Sequence, residues 1–240
     1  MKQSPQWTCS FWGKHPAFSD YIRVNADETL FYALVQWLGK RRSGSDEPVY
    51  DGNNGHVSYF WIVPPNTVQL TCGLLMTSAD SQGRPSSVLC ALKGTLPVSP
   101  QRYWERIHLY CQATWQDMAK LPAYRFSSFS EFKTTLSRIT PPDFKPRSDC
   151  PEESRMIAIK QAVSVGMMLN QSRFIREKML HFSVDDDNPG DWVWWARAIR
   201  EAVDVMPCSL FVRNAGVNKQ LYLYYRPLTA ADFQMMQNGK

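Results

Sequence analysis

The chain has 240 residues, 44% of them apolar, and 27 basic against 22 acidic side chains give it a formal charge of +5. That composition excludes low-complexity disorder and allows one sizeable core, or a core with a lobe attached. The charge is mild, and no basic block exceeds the triplet Lys40-Arg41-Arg42. A nucleic-acid or lipid footprint is therefore not expected, and the triplet fits the C-terminal end of a helix. Met1 to Trp12 lacks the charged lead and long apolar centre of a signal peptide, and no apolar run approaches the roughly 18 residues of a membrane span. Cysteines at 9, 72, 90, 111, 150 and 208 form no C-x-x-C pair. They read as reduced, mostly buried thiols of a cytoplasmic protein, with no zinc site.

In chain order, Trp7 to Trp12 alternates as a first strand. A charged turn, Gly13 to Asp20, follows it. Asp27 can cap a helix that reaches about Lys40, with Leu30, Phe31, Leu34, Val35 and Leu38 as its apolar stripe. Segments 43–46 and 51–55 read as loops. Apolar runs at Tyr59–Val63, Leu70–Met76 and Val88–Leu92 read as buried strands, the last two joined by a turn at 78–85. Ser99-Pro100 opens a helix to about Lys120, and Phe129 to Ile139 forms another. The proline-rich 141–146 is the best place for a subdomain joint, near 141–150. Glu152 to Leu169 and Asp191 to Val205 read as helices, Cys208–Val212 and Gln220–Tyr225 as strands. Thr229-Ala230-Ala231-Asp232 is a variant capping box before a last helix, 232–237. The intermixing predicts an α/β or α+β fold, three layers built on a mixed central sheet flanked by helices.

Catalytic and metal signatures are missing. Gly13-Lys14 superficially resembles a phosphate loop, but the upstream glycine is absent and His15 stands where Ser or Thr belongs. Asp185 to Gly190 fails as a calcium loop, with Pro189 and Ala196 at two ligand positions. There is no G-x-S-x-G, and the histidines at 15, 56, 108 and 181 are scattered. No cofactor or metal is expected. Trp192 and Trp195 share a helix face while Trp194 points elsewhere. Core packing is the plain reading, with one exposed indole face as a partner contact the alternative. The even spread of charge advertises no large exposed apolar patch.

The polar turns are the candidate binding residues: Gly13, Lys14, Pro16 and Asp20 in the first, Ser78, Asp80, Gly83 and Arg84 in the second. Gly13 permits a special backbone angle, Pro16 stiffens its turn, and Gly83 suits a positive φ. Ser78 and Asp80 can accept turn amides, and Arg84 offers a planar fork to a carboxylate. Asp20 is the carboxylate expected to meet Arg84.

Gly13-Lys14-His15-Pro16-Ala17-Phe18-Ser19-Asp20-Tyr21 resembles the G-K-x-P-x-x-G-D-[FY] opening of the TagF (ImpM) family. Ser78 to Val88 resembles that family's later P-S-x-D-x-x-G-R-x-[FY]-P-L segment. Ser19 replaces a glycine, Thr77 a proline, Ser86-Ser87 the aromatic–proline pair and Val88 the leucine, so the likeness is to a divergent member. The resemblance implies a compact α/β accessory protein of bacterial type VI secretion without catalytic activity. It implies a post-translational repressor that binds the forkhead-associated scaffold protein of the apparatus. The alternative is a small-ligand-binding protein or enzyme that uses the turns 13–20 and 78–85 at a sheet edge. A structural component of the secretion base would instead need an exposed apolar patch.

Overall fold

A computed structural model describes residues 7–26, 29–39, 57–97, 99–144, 153–185, 191–215, 218–229 and 231–232. The basic triplet at 40–42, the loops at 43–46 and 51–55, Asp27, Cys150, most of the joint at 141–150, the acidic loop after Asp185 and the helix expected at 232–237 lie outside them. So does the Trp192 side chain.

Eight strands are described: β1 (Thr8–Gly13), β2 (Ile22–Val24), β3 (Val57–Ile62), β4 (Gln69–Ala79), β5 (Pro85–Thr95), β6 (Met179–Asp185), β7 (Ser209–Ala215) and β8 (Asn218–Tyr224). The helices are α1 (Thr29–Gly39), α2 (Ile107–Lys120), α3 (Phe129–Ser137), α4 (Glu153–Glu177) and α5 (Asp191–Ala202). The strand order is β2-β1-β5-β4-β3-β7-β8-β6. β1 runs antiparallel to β2 and β5, and β8 runs antiparallel to β6 and β7. The expected class is realised as α+β, with antiparallel pairing where a mixed sheet was expected.

By contacts the chain forms two compact units. The first takes Met1–Tyr59, Thr71–Thr95 and Ala113–Pro141, and the second takes Phe60–Leu70, Leu96–Gln112 and Pro142–Lys240. In the first, Phe11, Phe31, Leu74, Leu89, Cys90, Met118 and Phe132 are buried, and Phe11 meets the edge of Phe132 at 4.9 Å. Burying such side chains stabilises by roughly 1.5–3 kcal/mol each. β2 was not expected, because three residues carry too little alternation to read. Asn25 ties it down. At φ 50° it donates through Nδ2 to the Cys9 carbonyl at 2.8 Å, while its own carbonyl accepts from Ser10 Oγ at 2.9 Å. The described cysteines are free thiols. Cys9, Cys72, Cys90 and Cys111 are buried, and Cys208 is half-buried.

In the second unit, Phe60 stacks on Phe211 at 5.5 Å and Phe182 meets Trp195 at 5.9 Å, among buried Trp104, Leu180, Ile199 and Tyr224. Two 3-10 turns, Pro100–Arg102 and Trp104–Arg106, precede α2. Proline starts the first of them as expected, though Ser99 makes no capping bond. α4 runs eight residues past the expected end at Leu169. It stops where Lys178 turns left-handed at φ 51° and donates its amide to the Phe174 carbonyl at 2.9 Å. Gly166 does not break the helix, because the Phe182 ring of β6 packs against the space its missing side chain leaves. The opposite face of α4 exposes Ile157, Val165, Met168, Leu169 and Ile175. It is an apolar patch where the sequence led one to expect none.

Alanine usually gains up to about 1 kcal/mol over glycine in a helix. A Cβ on residue 166 would lie 2.5 Å from the Phe182 ring. Gly166→Ala is therefore expected to destabilise the protein by about 1–3 kcal/mol, as overpacking does. The urea midpoint reads this directly, and an upward shift would contradict the packing.

Candidate functional site

β1 delivers the first turn. At Gly13 the backbone takes φ 139°, and a Cβ there would sit 2.6 Å from the Ser87 carbonyl and 2.8 Å from the Val88 Cα of β5. Only glycine fits such an approach of backbone to backbone. The next two side chains turn inward. Lys14 is 8% exposed and His15 is 1% exposed. A β-turn follows with Pro16 at its second position, closed by the Phe18 amide donating to the His15 carbonyl at 2.9 Å. The Ala17 amide donates to His15 Nδ1 at 3.0 Å, which leaves the ring proton on Nε2 to donate to the Leu121 carbonyl at 2.8 Å. Phe18, Phe126 and Phe132 surround the imidazole at 5.1–5.8 Å. Burial lowers the His15 pKa, against the raising effect of its Leu121 bond.

The second turn joins β4 to β5 and is organised by one carboxylate. Asp80 Oδ1 accepts the amides of Gln82 at 3.0 Å and Arg84 at 2.9 Å. Its backbone closes the hairpin, donating to the Arg84 carbonyl at 3.2 Å and accepting from the Gly83 amide at 2.9 Å. Gly83 takes φ 75° with open space around it, so the backbone angle alone selects glycine. Oδ2 accepts Lys14 Nζ at 2.9 Å and Arg84 Nε at 2.6 Å.

Three bonds therefore stitch the turns together: Lys14 to Asp80, the Ser81 amide to the Phe18 carbonyl at 3.0 Å, and Arg84 Nη2 to the Ser19 carbonyl at 2.7 Å. Gly13, Lys14, Pro16, Asp80, Gly83 and Arg84 all build this junction. Asp20 does not meet Arg84 as expected. It is exposed, and the carboxylate within reach of the guanidinium is Asp80, four residues back along the hairpin. Ser78 does not accept a turn amide either. It lies within β4, buried, and its hydroxyl has no hydrogen-bond partner. The inward placement of His15 was missed, because a lone histidine carries no local sign of its partner 106 residues away.

The Asp80 side chain has no exposed surface. Burial by itself would push its carboxyl up. The Lys14 ammonium, the Arg84 amide and guanidinium and the Gln82 amide outweigh that and hold it well below the usual carboxylate range. Lys14 also lies 5.5 Å from the Tyr21 ring. The buried charges thus neutralise each other, while Pro16, Ser19, Asp20, Ser81, Gln82 and Arg84 remain exposed.

Other polar groups gather in the second unit. Arg200 donates to Glu105 at 2.6 Å and to the Arg102 carbonyl at 2.8 Å. Arg200 and Glu105 line a cavity of about 570 Å³ that Trp194 also lines, with Arg197 6.0 Å from its ring. Trp195 instead faces Phe182, so the two indoles diverge as expected, though both are buried. His108 is buried with Nε2 unpartnered, and desolvation lowers its pKa to about 3. Asp232 makes one arm of the expected box, accepting the Thr229 amide at 2.6 Å and also its hydroxyl at 2.8 Å, and adds a two-bond clasp on Arg226. Among the described residues no group of three or more His, Cys, Asp or Glu could hold a metal ion, and no helix is long and apolar enough to cross a membrane.

No protein-family model matches the chain, and neither does any curated protein. Among solved structures, PA0076 from Pseudomonas aeruginosa PAO1 aligns over 97% of this chain and 95% of its own, at 13% identity and a TM-score of 0.44. That likeness is too slight to carry the fold or a function.

Removing one partner of a buried ion pair strands the other, whereas apolar replacement of both does not. Asp80→Asn and Lys14→Met are each expected to lower the melting temperature by several degrees. Lys14→Met/Asp80→Leu should lose less than the two single losses added together. Strict additivity in thermal unfolding would mean that the two charges are not coupled. A second expectation concerns pH. The folded His108 pKa lies below the unfolded value near 6.5, so the unfolded chain binds the proton first. Stability is full above that value and falls as pH drops toward 3. Relative to His108→Leu, the wild-type protein should lose about 2 kcal/mol between pH 7 and pH 5, read from urea midpoints. Parallel curves would contradict a neutral buried imidazole.

Proposed function

We propose that the chain is a non-enzymatic binding protein, a cytoplasmic accessory regulator of bacterial type VI secretion that represses by occupying a forkhead-associated scaffold protein. One observation carries the reading. Two segments carry the likeness to the TagF family, and Lys14 of the first meets Asp80 of the second, 66 positions on, at 2.9 Å. Gly13, Lys14, Pro16, Gly83 and Arg84 each have a geometric task in that junction. Most of the residues that carry the likeness share this one construction, while Asp20 and Ser78 stand outside it.

The division of labour in the junction favours binding over catalysis. Lys14 and Asp80, the groups a reaction would need, are spent on each other and on backbone amides. A small-ligand site at the same turns would need them free to meet a substrate. The exposed rim is different. The half-exposed Arg84 guanidinium, the Asp20 carboxylate and the Gln82 amide offer both signs of charge and hydrogen-bonding groups to a macromolecular partner. A buried clamp beneath an exposed rim holds that rim in one shape, which reduces the ordering cost of association. Repression then needs no chemistry: a scaffold held in this complex cannot support assembly.

The test is a titration of the purified chain against the forkhead-associated protein of the same secretion cluster. Saturable one-to-one binding is expected, weakened at least about tenfold by Arg84→Glu in a variant whose near-ultraviolet circular dichroism is unchanged. Absence of binding at tens of micromolar, where about −6 kcal/mol is still visible, would overturn this partner. Full affinity in the folded Arg84→Glu variant would remove the turns from the interface.

A further inference from the structure

The outward face of α4 is the least explained surface of the second unit. Val163 and Ile159 of this helix are buried, and Gly166 receives Phe182, so one side of it is fully engaged. The other side carries Ile157, Gln161, Ser164, Met168, Gln171 and Ile175, all exposed. These positions are spaced 4, 3, 4, 3 and 4 residues apart, the rhythm of a helix–helix seam. Val165 and Leu169 flank the seam, and Met168 and Leu169 are 70% and 79% exposed. Single exposed apolar side chains are ordinary, but this many on one face of one helix form a patch.

The order of side chains along the seam names its occupant. Ile157, Gln161 and Ser164 lead to the centre, and Met168, Gln171 and Ile175 lead away from it. Read from either end, the seam runs isoleucine, glutamine, one central residue, the other central residue, glutamine, isoleucine. A two-fold axis beside residue 166 would set Ile157 against Ile175 of a second copy, Gln161 against Gln171, and small Ser164 against long Met168. Such self-complementarity is what an isologous interface demands, and an unrelated partner would not require it. No charged residue occupies any of the six positions, so the two-fold brings no like charges together. Glutamine facing glutamine satisfies amide donors and acceptors from both copies.

We propose that α4 is a homodimer interface, in which two copies pair antiparallel along this seam about a two-fold axis near residue 166. The seam spans about 27 Å of helix, and burying it on both copies removes on the order of 1,000 Å². That lies at the lower end of specific interfaces, so the dimer exchanges with monomer in the micromolar range. The proposal does not depend on the scaffold reading above, because the seam shares no residue with the two turns.

Sedimentation velocity of the full chain from about 1 to about 200 µM reads the mass directly. A concentration-dependent shift from monomer to dimer is expected, and Met168→Glu should remain monomeric throughout with an unchanged melting temperature. Two further variants test the register. Q161K/Q171K opposes like charges across the seam and should abolish the dimer, whereas Q161E/Q171K opposes unlike charges and should retain it. Wild-type protein that stays monomeric at the highest concentration overturns the proposal. So does a dimer that survives Met168→Glu, or one that responds identically to the two charge variants.

Discussion

Asp80 is the residue on which the described site depends. A carboxylate without exposed surface is stable only when its charge and its lone pairs are fully answered. Two cations and two amides answer it here, and each answer fixes a piece of chain. The amides shape the β4–β5 hairpin. Lys14 reaches across from the first turn, and for it to arrive, β1 must come so close to β5 that residue 13 can have no side chain. Arg84 then closes the arrangement from the solvent side through the Ser19 carbonyl. Remove the charge at the centre and the reasons for the surrounding residues go with it.

His15 extends the same logic to the chain that follows. Its neutral ring donates to Leu121 and accepts from Ala17, so one side chain joins the first turn to the segment after α2. The phenylalanines around it exclude water, which strengthens those bonds and disfavours the protonated ring. Charge pairing on one side of the turn and a dry aromatic shell on the other leave the rim little freedom. That rigidity is the physical content of the binding proposal.

The second unit shows a different economy. α4 is apolar on two faces, and among the described residues only one of them is covered by its own unit. The covered face explains its glycine. The uncovered face is uncharged along the whole seam, although charged residues are common elsewhere on the surface. A long helix of this kind has only a weak amphipathic signal, because a stripe on each side averages out around the axis. Its extent was underestimated for that reason. β6, which packs on it, was not anticipated, although Leu180-His181-Phe182-Ser183-Val184-Asp185 alternates apolar and polar as a half-buried strand does.

Much was legible locally. Alternation at Trp7–Trp12, short apolar runs bounded by turn residues, proline at the start of 100–102 and the box at Thr229 each describe a contact made within a few positions, and backbone sterics decide those without help. The glycines and the proline of the two turns belong to the same class. Distant pairing was not legible. Sequence alone supplied two carboxylates and one guanidinium near the turns but not which would meet, and the nearer hairpin partner, Asp80, took the place expected for Asp20. Nor could it show that Ser78 lies in a strand, that His15 turns inward, or that Ile157, Met168 and Leu169 on the outer face of α4 are exposed. Those outcomes depend on which surfaces the folded chain brings within hydrogen-bonding distance. Burial and ion pairing act between groups 66 and 106 positions apart, and no local pattern records them.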